Sequence, residues 1–342
     1  MKTIPPSHMA SEIAEQPRIL RDVMARRPEI AERVRSVLPR EITGFALVGR
    51  GSSGNAALFG RYLLEMNGPC PATIVPPSML RLYGTGASYE GFVAIALGQS
   101  GQTPEVTTAL DILRQAGAKT IAITADPTSP LGVNSDLCLD LRTGPERAVP
   151  ATKTFTAELA MLLALTDGIT HPSTSSGDWR AMIDAVEVVL DDWPSAVEVA
   201  ARLKEPSYIN VLAGGMLLPI ALEVALKIEE TAQIPSTGRS VAGYRHGPLA
   251  TARSDRPIIV LAGAATAEME VMRSVTELRA RGVPVYLMDT APEADLNIGS
   301  PLSEWFLAIP AAVRGQQLAL ALALQLELNP DRPPYLEKVT AT

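Results

Sequence analysis

One pattern runs through this chain twice, at an offset of about 164 residues, far longer than any solenoid period. The apolar run that breaks into glycines, "GFALVGRG" (44–51), returns as "YINVLAGG" (208–215). "FVAIALG" (92–98) returns as "RPIIVLAG" (256–263), and "KTIAITAD" (119–126) as "VPVYLMD" (283–289). Such runs read as buried strands, and helical periodicity follows them at 55–67, 103–117, 219–230 and 266–282. Further strands are expected at 72–76 and 137–141. Strands alternating with helices predict a parallel sheet covered on both faces. Two copies in 342 residues predict a duplicated α/β domain.

Residues 12–38 read as helix, with Pro17 and Pro28 expected to divide it, and a long helix is expected near 179–203. "THPSTSSGD" (170–178) is a natural joint. The expected organisation is a helical segment over 1–40, a first domain over 41–170, a linker and helix over 171–204, a second domain over 205–330 and a tail over 331–342.

The net charge is −7 with no block of Lys or Arg, which argues against nucleic acid or an anionic membrane as partner. The longest apolar stretch noted, 318–328, is too short to span a bilayer. "MKTIPPSHMASE" has no signal-peptide core, so a cytoplasmic location is expected. Cys70 and Cys138 form no CxxC and read as buried free thiols. The three histidines, His8, His171 and His246, are scattered. No metal site is expected, and His8 and His171 read as surface or linker.

Gly49, Gly51 and Gly54 spell G-x-G-x-x-G after a strand and before a helix. The next strand ends without the Asp or Glu that would bind ribose, so a dinucleotide site is not expected. A second turn, "GQSGQT" (98–103), follows another strand of the same half. Both turns fall on the carboxyl edge of one sheet, where ligands bind. Each offers hydroxyls and main-chain amides at a helix start, which favours an anion. Ser52, Ser53, Gln99, Ser100 and Thr103 can hold a phosphate monoester without a cation. The plainer alternative is that these residues only cap helices.

The second half has no such turns. Its helix at 219–230 carries Glu223, Lys227 and Glu230 at i, i+4 and i+7, hence on one face. This is either a solvated ion-pair row or a partly buried acid/base set.

Together "GRGSS", "QSGQT", "ATKTFTAEL", "ALEVALKIEE", "HGPLA" and the tail "LEKVT" resemble the tandem sugar isomerase (SIS) domain family. The likeness covers nearly the whole chain. It is greatest to the isomerase half of glucosamine-6-phosphate synthase and to free-standing SIS-type glucosamine-6-phosphate deaminases. The resemblance implies two tandem doubly wound, flavodoxin-like parallel sheets and cofactor-free chemistry on an amino-sugar 6-phosphate. The synthase's amino-terminal glutaminase domain has no room before residue 40, so a complete glutamine-dependent synthase is not expected.

By the same resemblance, Ser52, Ser53, Gln99, Ser100 and Thr103 bind the phosphate. Glu230 moves a proton between C1 and C2, and His246 assists ring opening from a neighbouring subunit of a homodimer. Lys338 contacts the sugar carbonyl, while Glu223 and Lys227 tune and orient the others. Gly51, Thr152 and Lys153 line the pocket. A deglycase and a non-catalytic sugar-phosphate sensor are the alternatives. Three positions depart from the family pattern. Gly98 stands where a serine is usual, and Thr237 and Gly243 stand where acidic residues are usual. Arg239 and Arg245 nearby read as surface charge or as contacts to an anionic group.

Overall fold

The computed structural model describes residues 6–170, 174–203, 206–263 and 266–338. His171 lies outside them. In chain order the elements are α1 (His8–Ala14), α2 (Gln16–Val37), β1 (Gly44–Val48), α3 (Gly51–Asn67), β2 (Ala72–Ile74), α4 (Pro77–Tyr83), β3 (Phe92–Leu97), α5 (Pro104–Gln115), β4 (Lys119–Thr124), α6 (Pro130–Val133), β5 (Leu137–Asp140) and α7 (Lys153–Ile169). The second half continues with α8 (Ser176–Asp191), α9 (Trp193–Arg202), β6 (Ile209–Ala213), α10 (Leu218–Ala232), β7 (Ser236–Ser240), α11 (Val241–Arg245), β8 (Ile258–Leu261), α12 (Glu268–Ala280), β9 (Val285–Asp289), β10 (Leu296–Asn297) and α13 (Glu304–Gln325).

The first sheet has the order β2-β1-β3-β4-β5. The second, β10-β9-β8-β6-β7, is the same order read from its other edge. Every pairing is parallel. The protein is thus α/β, with two five-stranded doubly wound sheets and a helical start.

The chain sorts into two compact units. One holds the described residues among Arg18–Glu146, Lys153–Ser176 and Glu337–Thr342. Its β1 is buried at every position, as both faces of a parallel sheet require. Its α7 is buried from Lys153 to Gly168. The other holds those among Met1–Pro17, Arg147–Thr152 and Gly177–Leu336. There, α1 is capped from far along the chain. Asp331 accepts from the amides of His8 and Met9, both at 2.8 Å. Ser7 Oγ accepts from the amide of Ala10 at 3.0 Å. These bonds satisfy amides that a helix start leaves open. His8 itself is exposed.

Four local expectations need correction. Pro28 does not divide α2, which runs through it. The proline removes one helical bond, while Val23, Ile30 and Val34 are almost wholly buried along the helix, and that packing outweighs the loss. The expected helix at 179–203 splits into α8 and α9 at Asp192, just before Pro194. The buried Arg314 of α13 fastens this break, donating to Asp192 O at 2.7 Å and to Asp192 Oδ2 at 2.9 Å.

Both cysteines are free but only partly buried. Cys70 follows the end of α3, and Cys138 sits on edge strand β5, where burial alternates. Finally, α13 extends well before the apolar stretch at 318–328. It is long and apolar enough, by length and composition alone, to cross a membrane. Its residues from Phe306 to Ala323 are buried inside the protein.

Two strands carry no apolar signature in the sequence. "STGRS" (236–240) forms β7, an edge strand paired along β6. Its Gly238 lies so close to α10 that an added Cβ would sit 2.5 Å from the Leu222 backbone. Glycine permits that approach. β10 has only two residues.

Candidate functional site

Within the first unit, β1 and β3 are neighbours in register, with Leu47 opposite Ile95 and Val48 opposite Ala96. Their carboxyl ends therefore lie side by side, and the two polar turns follow from them. Gly51 opens α3 with φ +52°. Ser52 is half-buried beside it. Ser53 is buried, and its hydroxyl donates to Glu158 Oε1 of α7 at 2.8 Å. That O–H is committed to a buried carboxylate, leaving the Ser53 amide at the helix start.

The second turn is pinned to the end of β4. Gln99 O accepts from the Ala125 amide and from Thr124 Oγ1, each at 3.1 Å. Gly101 has φ +60°, and a Cβ there would fall 2.0 Å from Ser129 Oγ, so only glycine fits. Ser100 Oγ accepts from the Gln102 amide at 3.2 Å. Thr103 occupies the N-cap position of α5, yet its side chain makes no capping bond and Pro104 follows it. The Thr103 hydroxyl is thus not spent on its own helix.

The surroundings of this turn are not neutral, as the sequence alone suggests. Glu105, buried in the first turn of α5, draws in two arginines. Arg50, at the N-cap of α3, reaches Glu105 Oε2 at 2.6 Å. Arg81 of α4 reaches Oε1 at 3.3 Å. No spacing rule joins residues 50, 81 and 105. A second missed group is Glu146, whose carboxylate is fully buried. It accepts from the Thr154 amide at 3.1 Å and from Lys338 Nζ at 2.8 Å. The tail lysine is thereby held against the unit that carries the two turns. Lys153 is buried at the start of α7.

In the second unit, α10 brings Glu223, Lys227 and Glu230 together. Glu223 and Lys227 are each 1% exposed, so this is no solvated row. Lys227 Nζ lies 3.4 Å from Glu223 Oε1 and donates to Glu230 Oε2. The Glu230 side chain keeps 19% exposure, so it alone of the three opens outward. α10 is anchored against α13, with Thr231 Oγ1 bonded to Ala319 O at 3.1 Å. A lysine between two carboxylates offsets part of the cost of burying them and fixes the position of the outer one.

His246 is exposed at the end of α11. Thr152 is buried, its carbonyl accepting from Gln316 Nε2 at 3.2 Å. Among the described residues, no group of three or more His, Cys, Asp or Glu is placed to hold a metal ion.

Comparison with known proteins gives a consistent picture. The glutamine–fructose-6-phosphate aminotransferase (isomerizing) of Halobacterium salinarum is 30% identical over 97% of this chain. That of Methanothermobacter thermautotrophicus is 29% identical over 96%. The chain spans 58% and 56% of the length of these two relatives. Among solved structures, glucosamine-6-phosphate deaminase from Thermotoga maritima is 25% identical, covers 98% of this chain and gives a TM-score of 0.82. The C-terminal domain of the aminotransferase from Francisella tularensis gives 0.78 at 21% identity, a likeness of fold. The SIS-domain family model matches residues 45–167 and 202–325, so the chain belongs to the SIS-domain family, carrying the domain twice.

Proposed function

We propose that this protein is a phosphosugar isomerase of the deaminating kind, converting glucosamine 6-phosphate and water to fructose 6-phosphate and ammonia. The observation that carries the reading is Lys227, buried on α10 between Glu223 and Glu230. A lysine and two carboxylates at this depth are costly to bury and are typical of sites that move protons. Family membership and the relatives' sugar-phosphate substrates supply the substrate class.

In this reading Ser52, Gln99, Ser100 and Thr103, with the Ser53 amide, bind the phosphate, and Gly51, Thr152 and Lys153 line the pocket. Charge-assisted bonds from hydroxyls and helix-start amides suffice for a phosphate dianion. Glu230 takes the proton from C2 of the open-chain aldehyde and returns it to C1. The double bond passes from C1–O1 to C1–C2 and then to C2–N, giving an imine. Water adds at C2 and ammonia leaves, so atoms balance. Lys338, released from Glu146, polarises O1, and Lys227 and Glu223 orient Glu230. No cofactor takes part.

The assembly is proposed to be a cytoplasmic homodimer in which His246, exposed on its own subunit, assists ring opening in the neighbour. The test is ammonia release and fructose 6-phosphate formation from glucosamine 6-phosphate, with Glu230→Gln as the control. Ketose without ammonia from a neutral aldose phosphate would reassign the protein as a plain isomerase. Ligand-shifted melting without turnover would make it a sensor. Mixed dimers of Glu230→Gln and His246→Ala subunits regain part of the activity if the site is shared.

A further inference from the structure

The start of α5 does not itself call for a buried carboxylate. Thr103 O already accepts from the amides of Val106 and Thr107, each at 3.2 Å, and Pro104 has no amide to offer. Yet the Glu105 side chain is only 6% exposed, and its partners come from two other elements. Oε2 accepts from Arg50 Nε at 2.8 Å and lies 2.6 Å from Arg50 Nη2, a forked contact that fixes the guanidinium. Oε1 lies 3.3 Å from Arg81 Nη2.

The places of these residues in the chain give the contact its meaning. Arg50 immediately precedes Gly51, whose positive φ opens α3, and Glu105 stands two residues after Thr103. The forked contact therefore runs directly from the first polar turn to the second. The β1–β3 ladder pairs Val48 with Ala96, and the turns lie beyond that pair, where the ladder no longer spaces them. Their other anchors lead elsewhere: the first turn is tied to α7 through Ser53 and Glu158, the second to β4 through Gln99 O. Arg81 follows Leu80, which is wholly buried in one cluster with Val106, Ala109 and Leu110 of α5.

Other ion pairs of this unit are of a different kind. Arg61–Glu65 and Arg114–Asp111 are local to one helix and partly exposed on both sides, and such pairs add little. Glu105 is buried, its arginines keep 46% and 45% exposure, and 55 residues separate it from Arg50. Burying a carboxylate is costly and half-open arginines return little of that cost, so stability alone does not account for the arrangement. Two guanidinium groups on one carboxylate also leave net positive charge beside turns whose own side chains, at 51–54 and 98–103, are neutral.

We propose that Glu105 is a positioning residue for phosphate binding. Through Arg50 it holds the two turns at the separation at which both engage one phosphate group, and through Arg81 it ties that separation to α4. The proposal rests on the reading of the turns given above; Arg50 and Arg81 support the groups that bind the anion.

The test is calorimetric titration of the full chain with inorganic phosphate, well below the melting temperature, paired with KM and kcat for glucosamine 6-phosphate. Glu105→Gln keeps the shape and removes the charge. It is expected to weaken phosphate binding and raise KM about tenfold with kcat within about twofold, because phosphate is held alike in substrate and transition state. Arg50→Gln, at an exposed position, is expected to match it, and the double variant to be no worse than the poorer single, since a clamp opened at either end is open. Arg50→Lys keeps the charge and loses the fork, and is expected to bind phosphate as Arg50→Gln does. Arg81→Gln is expected to cost about threefold. A merely structural Glu105 would lower the melting temperature and leave KM unchanged. That result overturns the proposal, as do wild-type affinity in Arg50→Lys and single effects that multiply in the double variant. Absence of phosphate binding by the unsubstituted protein removes the reading of the turns and the clamp with it. Phosphate binding that responds to Glu105→Gln without any turnover upholds the clamp while the deaminase reading fails.

Discussion

The two units share a strand order and differ in where they keep their polar groups. In the first, chemistry-bearing residues sit on the turns after β1 and β3, at helix starts. In the second, the corresponding turns after β6 and β8 are "AGGMLLP" and "AGAATAE", and the polar groups lie along α10. A loop-to-helix junction offers amides and hydroxyls at little cost, since solvent reaches them. A helix face inside the fold offers a low-dielectric site, where a lysine and two carboxylates interact strongly. Duplication supplied one scaffold, and in the proposed reading one copy serves anion binding and the other proton movement.

Breaking the second unit's side of that comparison has the largest effect. Glu230→Gln is expected to cut turnover by about 10²–10⁴-fold while leaving the fold intact, checked by steady-state ammonia release and circular dichroism. Lys227→Met attacks stability instead. It leaves Glu223 and Glu230 without their shared cation, at an expected cost of about 3–5 kcal/mol in a urea melt. If the melt moves by less than about 1 kcal/mol, the row is better solvated than its burial indicates.

The first unit is expected to respond to backbone geometry before it responds to charge. Gly101→Ala forces a Cβ toward Ser129 at positive φ and is expected to cost at least about 2 kcal/mol. Loss of phosphate binding should accompany it. Ser100→Ala removes a hydroxyl near the surface, so stability should hold within about 0.5 kcal/mol while phosphate binding weakens by roughly tenfold. The smallest effect is a gain. At Gly98 an added Cβ would meet Leu131 at 3.5 Å, an ordinary contact, so a serine fits. Gly98→Ser is expected to tighten phosphate binding about threefold. Unchanged binding in both serine variants would show that the amides alone hold the anion.

Much of this was open to reading in the residues. The repeat, the buried strands and the i, i+4, i+7 row on α10 all rest on local periodicity. β7 was not legible, because "STGRS" has no apolar alternation and is a strand only because β6 offers it an edge. Arg50, Arg81 and Glu105 gave no signal, nor did Glu146 with Lys338, since 192 residues separate the latter pair.

By itself the sequence determined the architecture. Strand and helix periods, glycine turns and their recurrence are properties of short segments, and burial of apolar surface then forces the layers. Only the tertiary structure decided which polar groups are occupied. It committed the Ser53 hydroxyl to Glu158, left the Thr103 hydroxyl uncommitted, and put Lys227 rather than Arg239 between carboxylates. Those outcomes depend on distances between residues far apart in the chain, and one buried hydrogen bond more or less changes what a group can do.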